Sequence, residues 1–189
     1  MCYSVSMKVL IIAMVASVSS AFGQQITNIE AEGNLASKRT SPLNSLGDAS
    51  SNDTPVDFFD LSARKLQEGK YDESAMAFMV ASVYGAYDQR RVSDKTSHQG
   101  LEVLIAQKMS TASPDQRTKL QEVTTGILTN SDDLLLVLEK LGRPSYHPSY
   151  MIQHGMGAFS EQGKNKSDFV EGFEPESEWN KLLSEVASQ

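Results

Sequence analysis

From Thr54 onward apolar residues recur at spacings of three and four, and most of these stretches open on a combination that starts a helix. No segment shows the period-two alternation of a half-buried strand, so the chain is expected to be all-α. Thr54-Pro55-Val56-Asp57 is the first opening: Thr54 suits the cap, Pro55 the first turn, and Asp57 can reach back as in a capping box. Phe58, Phe59, Leu61, Ser62 and Leu66 follow at helical spacing, and Gly69 supplies the stop. A second helix is expected from Tyr71 or Asp72, with Ala75, Phe78, Met79, Ser82, Val83 and Tyr87 along one broad stripe. The short connection makes the two an antiparallel hairpin.

The same reading continues to the C-terminus. A helix from Ser93 or Asp94 to Met109 carries Leu101, Leu104 and Ile105, with Gly100 as its weak point. Ser113-Pro114-Asp115-Gln116 opens another, with Leu120, Val123, Ile127 and Leu128. Ser131 to Leu141 holds the dense run Leu134, Leu135, Leu136, Val137, Leu138, apolar on nearly every side, which predicts a central helix or an interface. Pro148 is expected to start a helix through Met151, Ile152, Met156 and Phe159, and Pro175 a last one with Trp179, Leu182, Leu183 and Val186. The predicted architecture is a helical bundle or short solenoid of about seven helices.

The segment Phe58-x-x-Leu61-Ser62, Gly69-Lys70-Tyr71-Asp72-Glu73-Ser74, Phe78-x-x-Ala81 resembles one tetratricopeptide-type hairpin over residues 55–88. Lys65 stands where that pattern has a large apolar residue and Ala86 where it has a closing proline, and the next register, near Gln89, puts Lys95 where a leucine belongs. Repeats of this kind share a core only in arrays of roughly three or more. The resemblance therefore implies a helical interaction scaffold and no repeat groove.

Lys8 precedes the apolar run Val9 to Val18, too short to span a bilayer, and small residues follow. Residues 1–23 are thus expected to be a secretory signal peptide cleaved near Ala21 or Gly23, with translation starting at Met1 or Met7, and the product periplasmic or secreted. Cleavage removes Lys8 and no acid, taking the formal charge from −7 to −8. It also removes Cys2, the single cysteine, so disulfides, thiol nucleophiles and cysteine zinc cages are excluded. Residues 24–53, rich in Ser, Asn, Asp and Ala, read as a flexible leader, and 54–189 as the helical domain. The acidic balance argues against nucleic acid, whose binding needs clustered Lys and Arg.

The chain offers little for catalysis. His98, His147 and His154 form no His-Glu-x-x-His, there is no Gly-x-Ser-x-Gly, and Gly155-Met156-Gly157 lacks the preceding strand and following Lys of a phosphate loop. No metal or cofactor is expected. Acidic groups at Asp72/Glu73, Asp132/Asp133 and Glu174/Glu176/Glu178 all sit at helix starts, where the dipole accounts for them.

Two clusters stand out. Arg143 to Tyr150 contains Pro-Ser-Tyr twice, and tyrosines on a proline-stiffened loop suit an interface, though they equally suit packing on the domain. Tyr84, Tyr87, Arg90 and Arg91 mix aromatic and Arg side chains as binding hot spots do, although a helix end also favours arginine through its dipole. The candidate binding residues are Tyr84, Tyr87, Arg90, Arg91, Tyr146, His147, Tyr150 and His154, with no catalytic residue. The expected function is that of an exported, non-catalytic helical protein that binds another protein, a basic one by charge. Its sharpest form is an immunity-type inhibitor of an interbacterial toxin. The alternative is an exported hydrolase acting on cell-wall material through His147 or His154 and a carboxylate.

Overall fold

A computed structural model describes residues 31–160 and 167–188. The expected signal peptide, residues 1–23, lies outside the described residues. The chain is all-α, with seven α-helices among the described residues: α1 (Pro55–Gln67), α2 (Tyr71–Arg91), α3 (Gly100–Lys108), α4 (Pro114–Thr129), α5 (Asp132–Leu141), α6 (Ser149–Ile152) and α7 (Pro175–Ala187). Short 3-10 helices cover Leu46–Asp48, Lys95–Gln99 and Met156–Phe159. The only β-type pairing among the described residues is a single antiparallel bridge, Val92 to Phe169.

The predicted hairpin forms as its residues dictate. The Asp57 carboxylate accepts the Thr54 amide at 2.7 Å and the Thr54 hydroxyl at 2.8 Å, closing the N-terminus of α1. At the other end Gly69 takes a left-handed φ of 73°, which lets its amide bond Leu66 and the Lys70 amide bond Lys65. The chain then turns back, pairing Phe58 with Tyr84, Phe59 with Phe78 and Ser62 with Ser74. Ala86 leaves α2 unbroken as far as Arg91, so no second hairpin starts near Gln89.

α2 is the central helix, with 14 of its 21 residues buried, and α1, α4, α5 and α7 pack around it. Gly85 gives close approach: a Cβ there would lie 2.5 Å from the Leu101 side chain of α3. The leucine run, expected to be central or at an interface, is therefore not the central helix, and it is not closed on all sides. Leu134 and Leu138, four residues apart, share the face that meets α2 and α7, whereas Leu136 is 64 % exposed. α4 keeps its expected capping box, with the Gln116 amide on the Ser113 hydroxyl at 3.2 Å and the Ser113 amide on the Gln116 side chain at 2.9 Å.

The expected flexible leader behaves differently over its described part, residues 31–53, which lie against the domain. Leu35 and Leu43 are buried, the Leu35 amide donates to the Tyr150 carbonyl at 3.1 Å, and Arg64 of α1 donates to the Leu43 carbonyl. Two isolated leucines carry no periodicity, yet burying each gives about 1.5–3 kcal/mol toward ordering the segment.

The helix expected from Pro148 through Phe159 is also interrupted. α6 stops after one turn, because the Met156 amide is taken by the Thr96 hydroxyl at 2.8 Å and the Gly157 amide by Asp94 at 2.9 Å. Side-chain acceptors replace the helical carbonyls there. Likewise the stretch from Lys95 begins as a 3-10 helix and becomes α-helical only at Gly100, a residue packed against the His154 ring.

Candidate functional site

Tyr84, Asp88 and Arg91 occupy positions i, i+4 and i+7 of α2 and so share one face. Asp88 is fully buried and receives three hydrogen bonds and one further ion-pair contact. One oxygen accepts from Arg91 Nε at 2.8 Å and lies 2.7 Å from Nη2, which makes no hydrogen bond among the described residues; the other accepts the hydroxyls of Tyr146 at 2.9 Å and Tyr150 at 2.8 Å. The guanidinium carbon lies 5.2 Å from the Tyr87 ring centre, 5.0 Å from Tyr146 and 5.9 Å from Phe169, which places the cation among aromatic faces. Burial pushes the Asp88 carboxyl up, against the lowering effect of Arg91 and the two tyrosines, and burial beside Asp88 pushes both phenols well above their ordinary value.

The two clusters singled out in the sequence are thus one structure. The twice-occurring Pro-Ser-Tyr brings Tyr146 and Tyr150 onto the same carboxylate, and packing on the domain, not display to a partner, is what the rings do. Tyr84 and Tyr87 are also interior: Tyr84 donates to the Gly142 carbonyl at 2.8 Å, and both rings meet Trp179 of α7 edge-on. Arg90 pairs with Glu178 and Glu185 of α7 at 3.5 and 2.5 Å. Of the candidate binding residues, Tyr84, Tyr87, Arg91 and Tyr150 are therefore buried and Tyr146 half-buried, which is the packing alternative that the sequence left open for them. His154 sets Nδ1 3.0 Å from the Asn34 side chain, and exposed His147 sets Nε2 3.1 Å from Asp168.

Sequence reasoning missed Asp88. Its signal was present: an acid inside an apolar stripe, three residues before an arginine, has to be paired if that stripe is core.

Beside this clasp lies a cavity of about 670 Å³, between the Val92–Thr96 segment and residues 152–158 and bounded further by Ser160, Ser167 and Asp168. Asp94 fixes its floor. One carboxylate oxygen accepts the Thr96 amide at 2.9 Å and hydroxyl at 2.7 Å, the other the Gly157 amide at 2.9 Å. Burial pushes the Asp94 carboxyl up, but these donors outweigh it and hold the group below its ordinary value, hence ionised at neutral pH. Gly155 is required behind this floor, since a Cβ would stand 2.5 Å from Asp94 and 2.9 Å from Ser97. On the lip, Met156 is 72 % and Phe159 53 % exposed. Among the described residues no three His, Asp or Glu side chains gather as a metal site, and no helix is long and apolar enough to cross a membrane.

The fold and site define an all-α protein built on one helical hairpin and clasped at a buried aspartate. Compared with known proteins, the chain matches no family model, no curated protein and no solved structure.

Proposed function

We propose that this is an exported, non-catalytic helical protein, released after signal-peptide cleavage near Ala21 or Gly23, whose task is to bind another protein. The observation that carries the reading is the pair Met156 and Phe159, held in water on a 3-10 helix whose amides are locked by Asp94 and Thr96. Large apolar side chains on a rigid support, next to a cavity, suit partner contact. The acidic charge favours a basic partner, as an immunity-type inhibitor of an exported toxin would need. The test is a photo-reactive residue placed at Phe159 and, as control, at exposed Thr118 on α4, in cells expressing the full chain. A single stoichiometric partner linked from 159 and not from 118 supports the reading; equal, diffuse labelling from both sites rejects it.

The hydrolase alternative has His147 and Asp168 on its side, an acid–base pair 3.1 Å apart of which Asp168 lines the cavity. Their side chains are 46 % and 47 % exposed, so water competes at both groups. Release of soluble fragments from purified cell wall by the wild type and not by His147→Gln would establish it.

A further inference from the structure

The cavity has two chemically different parts. Its walls include Ile152 and the exposed thioether of Met156, an apolar and adaptable surface. Its polar side carries Asp94 and Asp168 against Lys95. Asp94 is consumed by its three donors and stiffens the floor. Asp168 is different: it is fixed to the opposite segment by the bond from the Ser93 amide to its carbonyl at 3.0 Å, its Oδ2 meets His147, and its Oδ1 has no hydrogen bond among the described residues. A carboxylate oxygen with no hydrogen bond among the described residues, beyond an apolar wall, matches a side chain with a long aliphatic stem and a cationic head. An anionic ligand would face two carboxylates against the one cation of Lys95 among the described lining residues, and a purely apolar one would displace water from half-exposed Asp168 and leave it His147 as its one side-chain partner.

We infer that the cavity receives a lysine or arginine side chain from a basic partner protein, with Asp168 taking the cationic head and Ile152 and Met156 the stem. The inference rests on the protein-binding reading and names the chemistry of its contact. Asp168 supplies a charge-assisted hydrogen bond, a class worth about 1.5–3 kcal/mol, so its loss weakens binding about tenfold or more.

The experiment titrates the full secreted chain with three capped tripeptides, leucine-X-leucine with X as arginine, its uncharged isostere citrulline, or glutamate, followed by the Met156 methyl resonance. The arginine peptide is expected to shift that resonance and to bind about tenfold more tightly than the citrulline peptide, with no shift from glutamate. Asp168→Asn, an exposed change that leaves the clasp intact, abolishes the arginine preference, and Asp168→Glu retains it. Equal binding of arginine and citrulline peptides, no binding by either, or an undiminished arginine preference in Asp168→Asn overturns the inference. A partner cross-linked from 159 whose yield is the same in Asp168→Asn also overturns it, while leaving the protein-binding reading in place.

Discussion

Asp88 and Arg91 form an ion pair inside the protein: the Asp88 side chain is wholly buried and that of Arg91 7 % exposed, with Nη2 2.7 Å from Oδ1. Two charges taken out of water need their remaining polar capacity met: Tyr146 and Tyr150 meet it for the second carboxylate oxygen, while Arg91 Nη2 makes no hydrogen bond among the described residues and the guanidinium rests among aromatic faces.

Removing one partner leaves the other charged and buried. Asp88→Ala is expected to lower stability by about 3–5 kcal/mol, seen as a large fall in the urea midpoint. A loss under about 1 kcal/mol would mean that water reaches Arg91 and that the clasp is not closed in solution.

Tyr146 and Tyr150 have to stay protonated to donate to Asp88, and their folded-state values lie well above the ordinary 10.0. Once pH exceeds the unfolded value the unfolded chain releases these protons and the folded chain does not, so stability falls as pH rises. The urea midpoint is expected to stay level through this titration until about pH 10 and then drop, with a shallower drop in Tyr146→Phe/Tyr150→Phe. Identical slopes in the two proteins would place the alkaline transition elsewhere.

Two glycines are expected to respond in opposite directions. Gly155→Ala drives a methyl against Asp94 and Ser97 and should cost about 1–3 kcal/mol by overpacking. Gly126→Ala, in the interior of α4 with nothing within 4 Å of the new carbon, should gain about 0.5–1 kcal/mol in helix propensity. Thermal melts of the two variants give the comparison directly.

Leu43 is 2 % exposed in a stretch of sequence that looks unstructured. Leu43→Ala should cost about 2–5 kcal/mol if the stretch is packed as seen, and nothing measurable if it moves freely. Amide exchange across residues 31–53 provides a second measurement: the Leu35 amide, bonded to Tyr150, should be protected.

Local rules made α1, α2, α4 and α7 legible because their caps, stripes and stops all lie within a few residues of each other. Thr54 and Asp57, or Ser113 and Gln116, need no distant partner to act. Where a distant residue intervenes the reading fails. The helix after Pro148 is cut short by acceptors at Asp94 and Thr96, some 60 positions earlier. The described part of the leader is held by isolated leucines with no repeat to betray them, and the leucine run, apolar on nearly every side, does not show which of its faces is covered because composition does not say how many neighbours a helix has. The aromatic clusters stand out in the sequence, but their meaning depends on Asp88, which lies 58 and 62 residues from Tyr146 and Tyr150.

That separation sets the order in which the protein can assemble. The Ser62–Ser74 contact of the hairpin closes a loop of 12 residues, whereas the Asp88 contacts close loops of about 60. By the logarithmic dependence of closure entropy on length, the longer loops cost about 1.4 kcal/mol more to form. Closure entropy alone thus favours the hairpin as the early local event and the aspartate as the late fastening, and a chain severed between α2 and Tyr146 keeps its hairpin contacts covalently linked and gives up its latch.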